Sequence, residues 1–261
     1  SGSFVLSDVY ISVLEALKFS AFSLGKKPVL TYLNSKDFET GKLKLDELKK
    51  YAGILVPGGF GSTGVEGKIK VIEYARTKKI PYFGICYGMQ LAVVEYARHV
   101  LGWKDAHTTE IDAKTKHPVI DIMNDQRGNV AEAKYGATMR LGGYPCVLGK
   151  GTIADKAYSL AGAQMVHKKS DLTGAKTITE RHRHRYEVNS RFVEDLEKAG
   201  LVFSGASPDR RLMEIAELPR NVHPFFLGTQ FHPEFLARPL APHPIFTEFI
   251  KAAIKNRGGK K

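Results

Sequence analysis

Short apolar runs alternate with helix-spaced patterns along roughly the first hundred residues, and this alternation confines the chain to a layered α/β architecture. Residues 53–56 (GILV) and 80–85 (IPYFGI) lack the polar alternation of a half-exposed strand, as strands buried on both faces do. The first run leads through PGGFGSTG into a helix pattern over 68–78. The second turns at GICYG into a helix pattern over 88–100. Upstream, Val9, Val13, Leu14, Leu17 and Ala21 recur at helical spacing behind a Ser7 or Asp8 cap. Residues 28–33 read as a strand and 45–48 as a short helix. The predicted fold is a doubly wound, mostly parallel central sheet flanked by helices. From 103 to 151 the pattern is irregular, with loops and a hairpin, so a smaller hairpin-rich edge is expected. Beyond it come a strand at 177–188, a capped helix at 190–199, strands at 201–206, 212–218 and 225–230, and a last helix near 245–254. One domain over residues 4–256 accommodates all of this, with 1–3 set aside as a vector-derived scar and 257–261 as a basic tail.

Composition narrows the class. No apolar stretch approaches the ~18 residues that span a bilayer, and the two cysteines, Cys86 and Cys146, are too few for a disulfide framework. A soluble cytoplasmic protein with free thiols and no membrane partner is expected. Lysine and arginine outnumber acidic residues 39 to 27, a formal charge of +12. No RNA-binding signature or zinc spacing accompanies that excess, so nucleic acid is not an expected partner and a basic surface is the simpler account.

The loop Gly59-Phe60-Gly61-Ser62-Thr63-Gly64 fits a dinucleotide fingerprint, but the following strand ends at Cys86 with no carboxylate to hold a ribose. It is not a phosphate-binding P-loop either, because Ser62 and Ile69 occupy positions that need glycine and a hydroxyl. Glycine-rich backbone can also aim amides at a developing oxyanion. Gly84-Ile85-Cys86-Tyr87-Gly88 is the cysteine counterpart of the nucleophile elbow, a sharp strand-to-helix turn that forces small flanking residues. The helix N-terminus there favours a thiolate. The competing reading, a buried inert cysteine, suits Cys146 better than Cys86. Among nine histidines, His232 in QFHPEF ends the last strand pattern, and in an extended segment Glu234 falls on its side. Cys86, His232 and Glu234 are thus a candidate nucleophile, base and orienter. In RHRHRY, alternation puts Arg181, Arg183 and Arg185 on one face and His182 and His184 on the other, for carboxylate binding or simply as a solvated basic strand.

GICYGMQ and His232-Pro233-Glu234 resemble the signatures of class I (triad) glutamine amidotransferases. The stretches YISVLEAL, LVPGGFG, GMQLAVVEYAR, TMRLG, ERHRHRYEVN and QFHPEFLARPL are similar to the glutaminase domains of CTP synthases over nearly the whole chain. That resemblance implies hydrolysis of L-glutamine through a Cys86 thioester, with His232 as base and then acid and Glu234 as its orienter. It implies an oxyanion hole from Gly59 and Tyr87, and glutamine contacts from Gly59, Phe60, Tyr87, Gly88, Met89, Gln90, Glu110 and Arg185. Arg185 suits the α-carboxylate, Glu110 the α-ammonium and Gln90 further polar contacts. No metal or cofactor is implied for this domain. ATP, UTP and Mg are implied for an amidoligase (synthase) domain that this sequence does not contain, and GTP as allosteric activator, with Arg140 facing that activator or the synthase domain. A homo-oligomeric full-length enzyme is the expected context. Other amidotransferases, of GMP or carbamoyl phosphate synthesis, or a non-catalytic module of this fold, are the alternatives. Departures from the resemblance are the missing first strand with its Gly-Lys-Tyr turn, Tyr87 in place of leucine, and a segment 125–135 of no assigned role.

Overall fold

The computed structural model describes residues 9–122, 139–160, 166–169 and 175–258. The Ser7 or Asp8 cap, residues 1–3, the segment 125–135 and the end of the basic tail lie outside them. In chain order the elements are α1 (Ile11–Ser23), α2 (Ser35–Glu39), a 3-10 turn (Leu45–Lys50), β1 (Ile54–Val56), α3 (Val65–Thr77), β2 (Tyr82–Ile85) and α4 (Tyr87–His99). They continue with β3 (His107–Thr108), β4 (Pro118–Ile122), β5 (Arg140–Leu148), α5 (Ile153–Leu160), β6 (Val166–Lys169), β7 (Lys176–His184) and β8 (Tyr186–Val188). A 3-10 turn (Ser190–Phe192) then runs into α6 (Val193–Lys198), followed by β9 (Val202–Ala206), β10 (Met213–Leu218), β11 (Phe226–Thr229), a 3-10 turn (Pro233–Phe235) and α7 (Pro244–Gly258).

The main sheet has the order β1-β2-β11-β10-β9-β5-β7-β6, and a small sheet the order β3-β4-β8. The α/β class and flanking helices agree with the sequence reading. Parallel pairing is narrower than expected: among the described residues, only β1 with β2 and β2 with β11 run parallel in the main sheet. Its remaining pairs are antiparallel. The loops joining β9 to β10 and β10 to β11 are too short for a crossover helix, so those strands must pair as hairpins.

Two other expectations are corrected. Residues 28–33 form no strand, and Val29 is 88% exposed. Among the described residues β1 is the sheet edge and pairs with β2 alone, and residues 28–33 do not add to its open side. The strand expected at 177–188 breaks at Arg185, where the chain leaves the main sheet at β7 and enters the small one at β8. The last helix runs through Gly258, so the basic tail begins inside it.

Strand periodicity divides the core in two. Tyr82 and Phe226 point to one face, stacked at 4.7 Å, where Ile69, Ile72, Leu91 and Val94 of α3 and α4 cover them. Phe83, Ile85 and Leu227 point to the other, beneath Val13 and Leu17 of α1 and Phe246 and Phe249 of α7. Phe83 meets Phe246 edge-on at 5.1 Å. Each such side chain, fully buried, contributes roughly 1.5–3 kcal/mol, so a one-residue slip of β2 would forfeit several of them at once. That register fixes where β2 ends, and Cys86 is the next residue.

Candidate active site

Cys86 is the single residue between β2 and α4, with φ 49° and ψ −100°. A non-glycine residue there stores roughly 1–3 kcal/mol of strain, held by surrounding bonds. The Cys86 N–H donates to Thr229 O at 2.6 Å, and Gln90 N–H donates to Cys86 O at 3.1 Å. The flanking glycines are steric requirements: a Cβ on Gly84 would lie 2.6 Å from the Gly88 carbonyl carbon, and one on Gly88 2.2 Å from Val56 O. Backbone therefore packs on backbone at the elbow, as the GxCxG spacing requires. The thiol lies 4.0 Å from Arg183 O and 3.6 Å from the side-chain nitrogen of Gln230.

His232 meets this elbow from β11. Its N–H donates to Arg181 O at 2.8 Å, which ties the segment to β7. Ring Nδ1 lies 2.7 Å from Glu234 Oε1, leaving Nε2 for the sulfur, and Phe235 stacks on the ring at 5.2 Å. Glu234 reaches its place through the 3-10 turn Pro233–Phe235 and not through the extended segment expected. A Cβ on Gly58 would fall 2.8 Å from His232 Cε1 and 3.7 Å from Cys86 Cβ, so ring and nucleophile flank the same point and only hydrogen fits there. Burial opposes a charged ring, but hydrogen bonds and charges from Cys86 and Glu234 outweigh it and raise His232 to about 10. The imidazole thus holds a proton through neutral pH.

The glycine loop lies over the elbow, a Cβ on Gly59 falling 3.6 Å from Tyr87 Cδ1. Glu110 Oε1 accepts from Gly61 N–H at 2.9 Å, and Tyr87 OH donates to Gly61 O at 2.8 Å. Both side chains therefore pin the loop. Tyr87, expected to offer only its N–H, does more: its buried ring and hydroxyl hold the segment that carries Gly59, and burial raises its pKa. Phe60 projects from the loop, 88% exposed. The Met89 side chain is fully buried in the core against Gly228, which leaves only its backbone for the expected glutamine contact. Gln90 donates to Tyr186 O at 2.8 Å and to Gln230 Oε1 at 3.2 Å, so its nitrogen builds the site's interior. Arg185 is half-buried at the break between β7 and β8.

In β7 the expected alternation is present: Arg181 and Arg183 are exposed while His182 and His184 are buried. Arg140 does not face outward. Its guanidinium pairs with the buried Glu214 at 2.5 Å and lies over the Tyr144 ring. His182, His184 and Glu214 offer ligand atoms within 4.8 Å of one another. The Arg140 charge and a 3.1 Å contact between His182 Nδ1 and His184 Nε2 already account for that cluster. Cys146 is buried, and burial raises its pKa well above the usual thiol value.

Three buried histidines set the acid limit of the fold. Burial lowers His182 to about 2, His184 to about 3 and His223 to about 4. Their unfolded counterparts bind protons below about 6.5, so their contribution is present above that pH and lost as pH falls. Glu214 works the other way: burial, against Arg140, pushes it up to about 7, and its contribution is lost as pH rises through that value. His107 is lowered by burial as well, while burial raises Glu95 and Glu217; the large histidine shifts dominate, so stability falls below about pH 6. Thermal denaturation at successive pH values is expected to show the melting temperature falling steadily from about pH 6.5 to about pH 5, and a flat profile would contradict these assignments.

Comparison with known proteins adds to this geometry. A family model described as "Glutamine amidotransferase class-I" matches residues 5–252. The CTP synthase of Pelotomaculum thermopropionicum is 49% identical over 96% of this chain and 43% of its own length. That of Rubrobacter xylanophilus is 49% identical over 95% of this chain and 41% of its own length. The chain thus spans less than half the length of these curated relatives. The solved glutaminase domain of Trypanosoma brucei CTPS, with bound acivicin, superposes with a TM-score of 0.83 at 35% identity, covering 98% of this chain and 91% of that one.

Proposed function

The chain belongs to the class I glutamine amidotransferase family, and from that premise we propose that it hydrolyses the side-chain amide of L-glutamine through a thioester on Cys86. The observation that carries this reading is the convergence of Cys86, at a strained elbow, with a His232 ring bound 2.7 Å from Glu234.

The steps follow from the charges. With its proton on His232, the Cys86 sulfur attacks the amide carbon; the C–S bond forms and the carbonyl electron pair moves to oxygen. The N–H groups of Gly59 and Tyr87 receive that oxyanion. As the tetrahedral centre collapses, His232 gives its proton to the nitrogen and ammonia leaves, producing the thioester. Neutral His232 next takes a proton from water as the oxygen adds to the acyl carbon. Collapse breaks the C–S bond, returns the electron pair to sulfur and releases glutamate. Glu234 holds the ring and balances its charge throughout.

Arg185 and Glu110 are assigned to the α-carboxylate and α-ammonium of glutamine, with Phe60 and the Gly59 loop over the bound amide and the backbone of Gly88 and Met89 behind it. Gripping both ends of a small zwitterion places its amide at the sulfur. By likeness to the CTP synthases, the ammonia feeds ATP- and Mg-dependent amination of UTP to CTP in a synthase domain beyond this sequence, with GTP as activator and a homo-oligomeric, cytoplasmic enzyme as the setting. A glutamate-release assay on this chain tests the hydrolysis. Glutamine-dependent CTP formation on joining it to a synthase domain tests the assignment among amidotransferases, and ammonia-dependent formation alone would contradict it.

A further inference from the structure

Gln230 played no part in the sequence reading, yet it is fully buried, two residues before His232. Its N–H donates to Glu214 O at 2.8 Å, and the preceding Thr229 accepts the Cys86 N–H at 2.6 Å. With Thr229 in register with Ile85, the Gln230 side chain is delivered beside the nucleophile.

The polarity of its amide follows from a chain of contacts. Gln90 Nε2 lies 2.8 Å from Tyr186 O, a carbonyl that can only accept, so the nitrogen end of Gln90 is fixed. The same Nε2 lies 3.2 Å from Gln230 Oε1, and its second N–H fixes that oxygen in turn. The remaining end of Gln230 is therefore nitrogen, 3.6 Å from Cys86 Sγ. A backbone carbonyl thus dictates, through two buried amides, that an N–H points at the sulfur. Such a bond is stronger to a thiolate than to a thiol.

We propose that Gln230 is a further catalytic residue of this site, its amide N–H binding the anionic Cys86 sulfur, with Gln90 as the positioning residue that holds the amide. The sulfur is anionic before it attacks and again when it leaves the acyl carbon, and the donor serves it at both moments. In the thioester the sulfur carries little charge and the contact relaxes. The role rests on the glutaminase reading above, but the contact itself can be measured without glutamine.

The test is the pH dependence of Cys86 alkylation by iodoacetamide, followed by intact mass from about pH 5 to about pH 9, in the parent chain and in Gln230→Met and Gln230→Glu. The half-maximal pH is expected to rise by about one unit in Gln230→Met and further in Gln230→Glu, whose carboxylate sets an acceptor against the sulfur. Glutamine turnover is expected to fall about tenfold in kcat with KM held within about twofold. Gln90→Met should move the alkylation profile in the same direction by less. Gln230→Glu, isosteric with the parent, carries the test if Gln230→Met fails to fold by circular dichroism. Profiles superimposable on the parent's in folded variants would overturn the proposal. A shifted profile in a chain that releases no glutamate would uphold Gln230 and sink the glutaminase reading. Unshifted profiles with normal hydrolysis would do the reverse.

Discussion

Replacing Cys86 with alanine is expected to lower glutamate release from glutamine by at least about ten-thousand-fold, with the melting temperature within about 3 °C of the parent. The size follows from covalent catalysis: without sulfur there is no thioester, and only binding and oxyanion contacts remain. Stability should survive because alanine keeps the Cβ, and because Cys86 N–H to Thr229 O and Gln90 N–H to Cys86 O are backbone bonds that the substitution leaves alone. The strain at φ 49° is paid by either residue. A coupled glutamate assay with a thermal melt decides it, and residual activity above about one per cent in the folded variant would count against a Cys86 nucleophile.

Replacing His232 with asparagine is expected to cost about a thousandfold in kcat. Burial disfavours a charged ring, but hydrogen bonds and charges from Cys86 and Glu234 outweigh it and raise His232 to about 10. Its stabilisation by those partners is fully present below about pH 6.5 and is lost as pH rises through about 10. Asparagine can still donate to Glu234 but neither balances the sulfur's charge nor delivers a proton to the leaving nitrogen. Iodoacetamide should therefore also react more slowly with Cys86 at neutral pH in this variant. A variant with reduced turnover and unchanged alkylation would separate the acid role from the ion pair. Unchanged turnover would remove His232 from the mechanism.

Much of this was legible in the chain. Residues 54–56 and 82–85 are apolar at every position, and such runs belong in a sheet covered on both sides, where the structure places them. The elbow was legible because its two glycines have no alternative: any Cβ there meets backbone. The run 28–33 looks similar in composition but joins no sheet among the described residues, and ladder partners are a property of the fold that local sequence does not carry. The break at Arg185 was invisible for a related reason. Neither glycine nor proline marks it, and it is the pairing of β8 with β4 that draws the chain into another sheet.

The candidate site divides in the same way. Cys86, His232 and Glu234 could be found because their residue types are unusual at strand ends. The loop-pinning role of the Tyr87 hydroxyl and the Gln230 amide could not, since a hydroxyl that holds a loop and an amide that meets a sulfur depend on partners elsewhere in the chain. One signal for Gln230 was present: a polar residue directly after the strand run FFLGT, on the same side as His232 by alternation. Arg140 went the other way, its charge suggesting a ligand contact while the buried Glu214 claims it.

The most direct measurement is mass spectrometry of the chain after reaction with diazo-oxo-norleucine, a glutamine-shaped electrophile. A single adduct mapped to Cys86, lost in Cys86→Ala and suppressed by excess glutamine, is the predicted result. Labelling at another residue, or none in folded protein, would contradict the account.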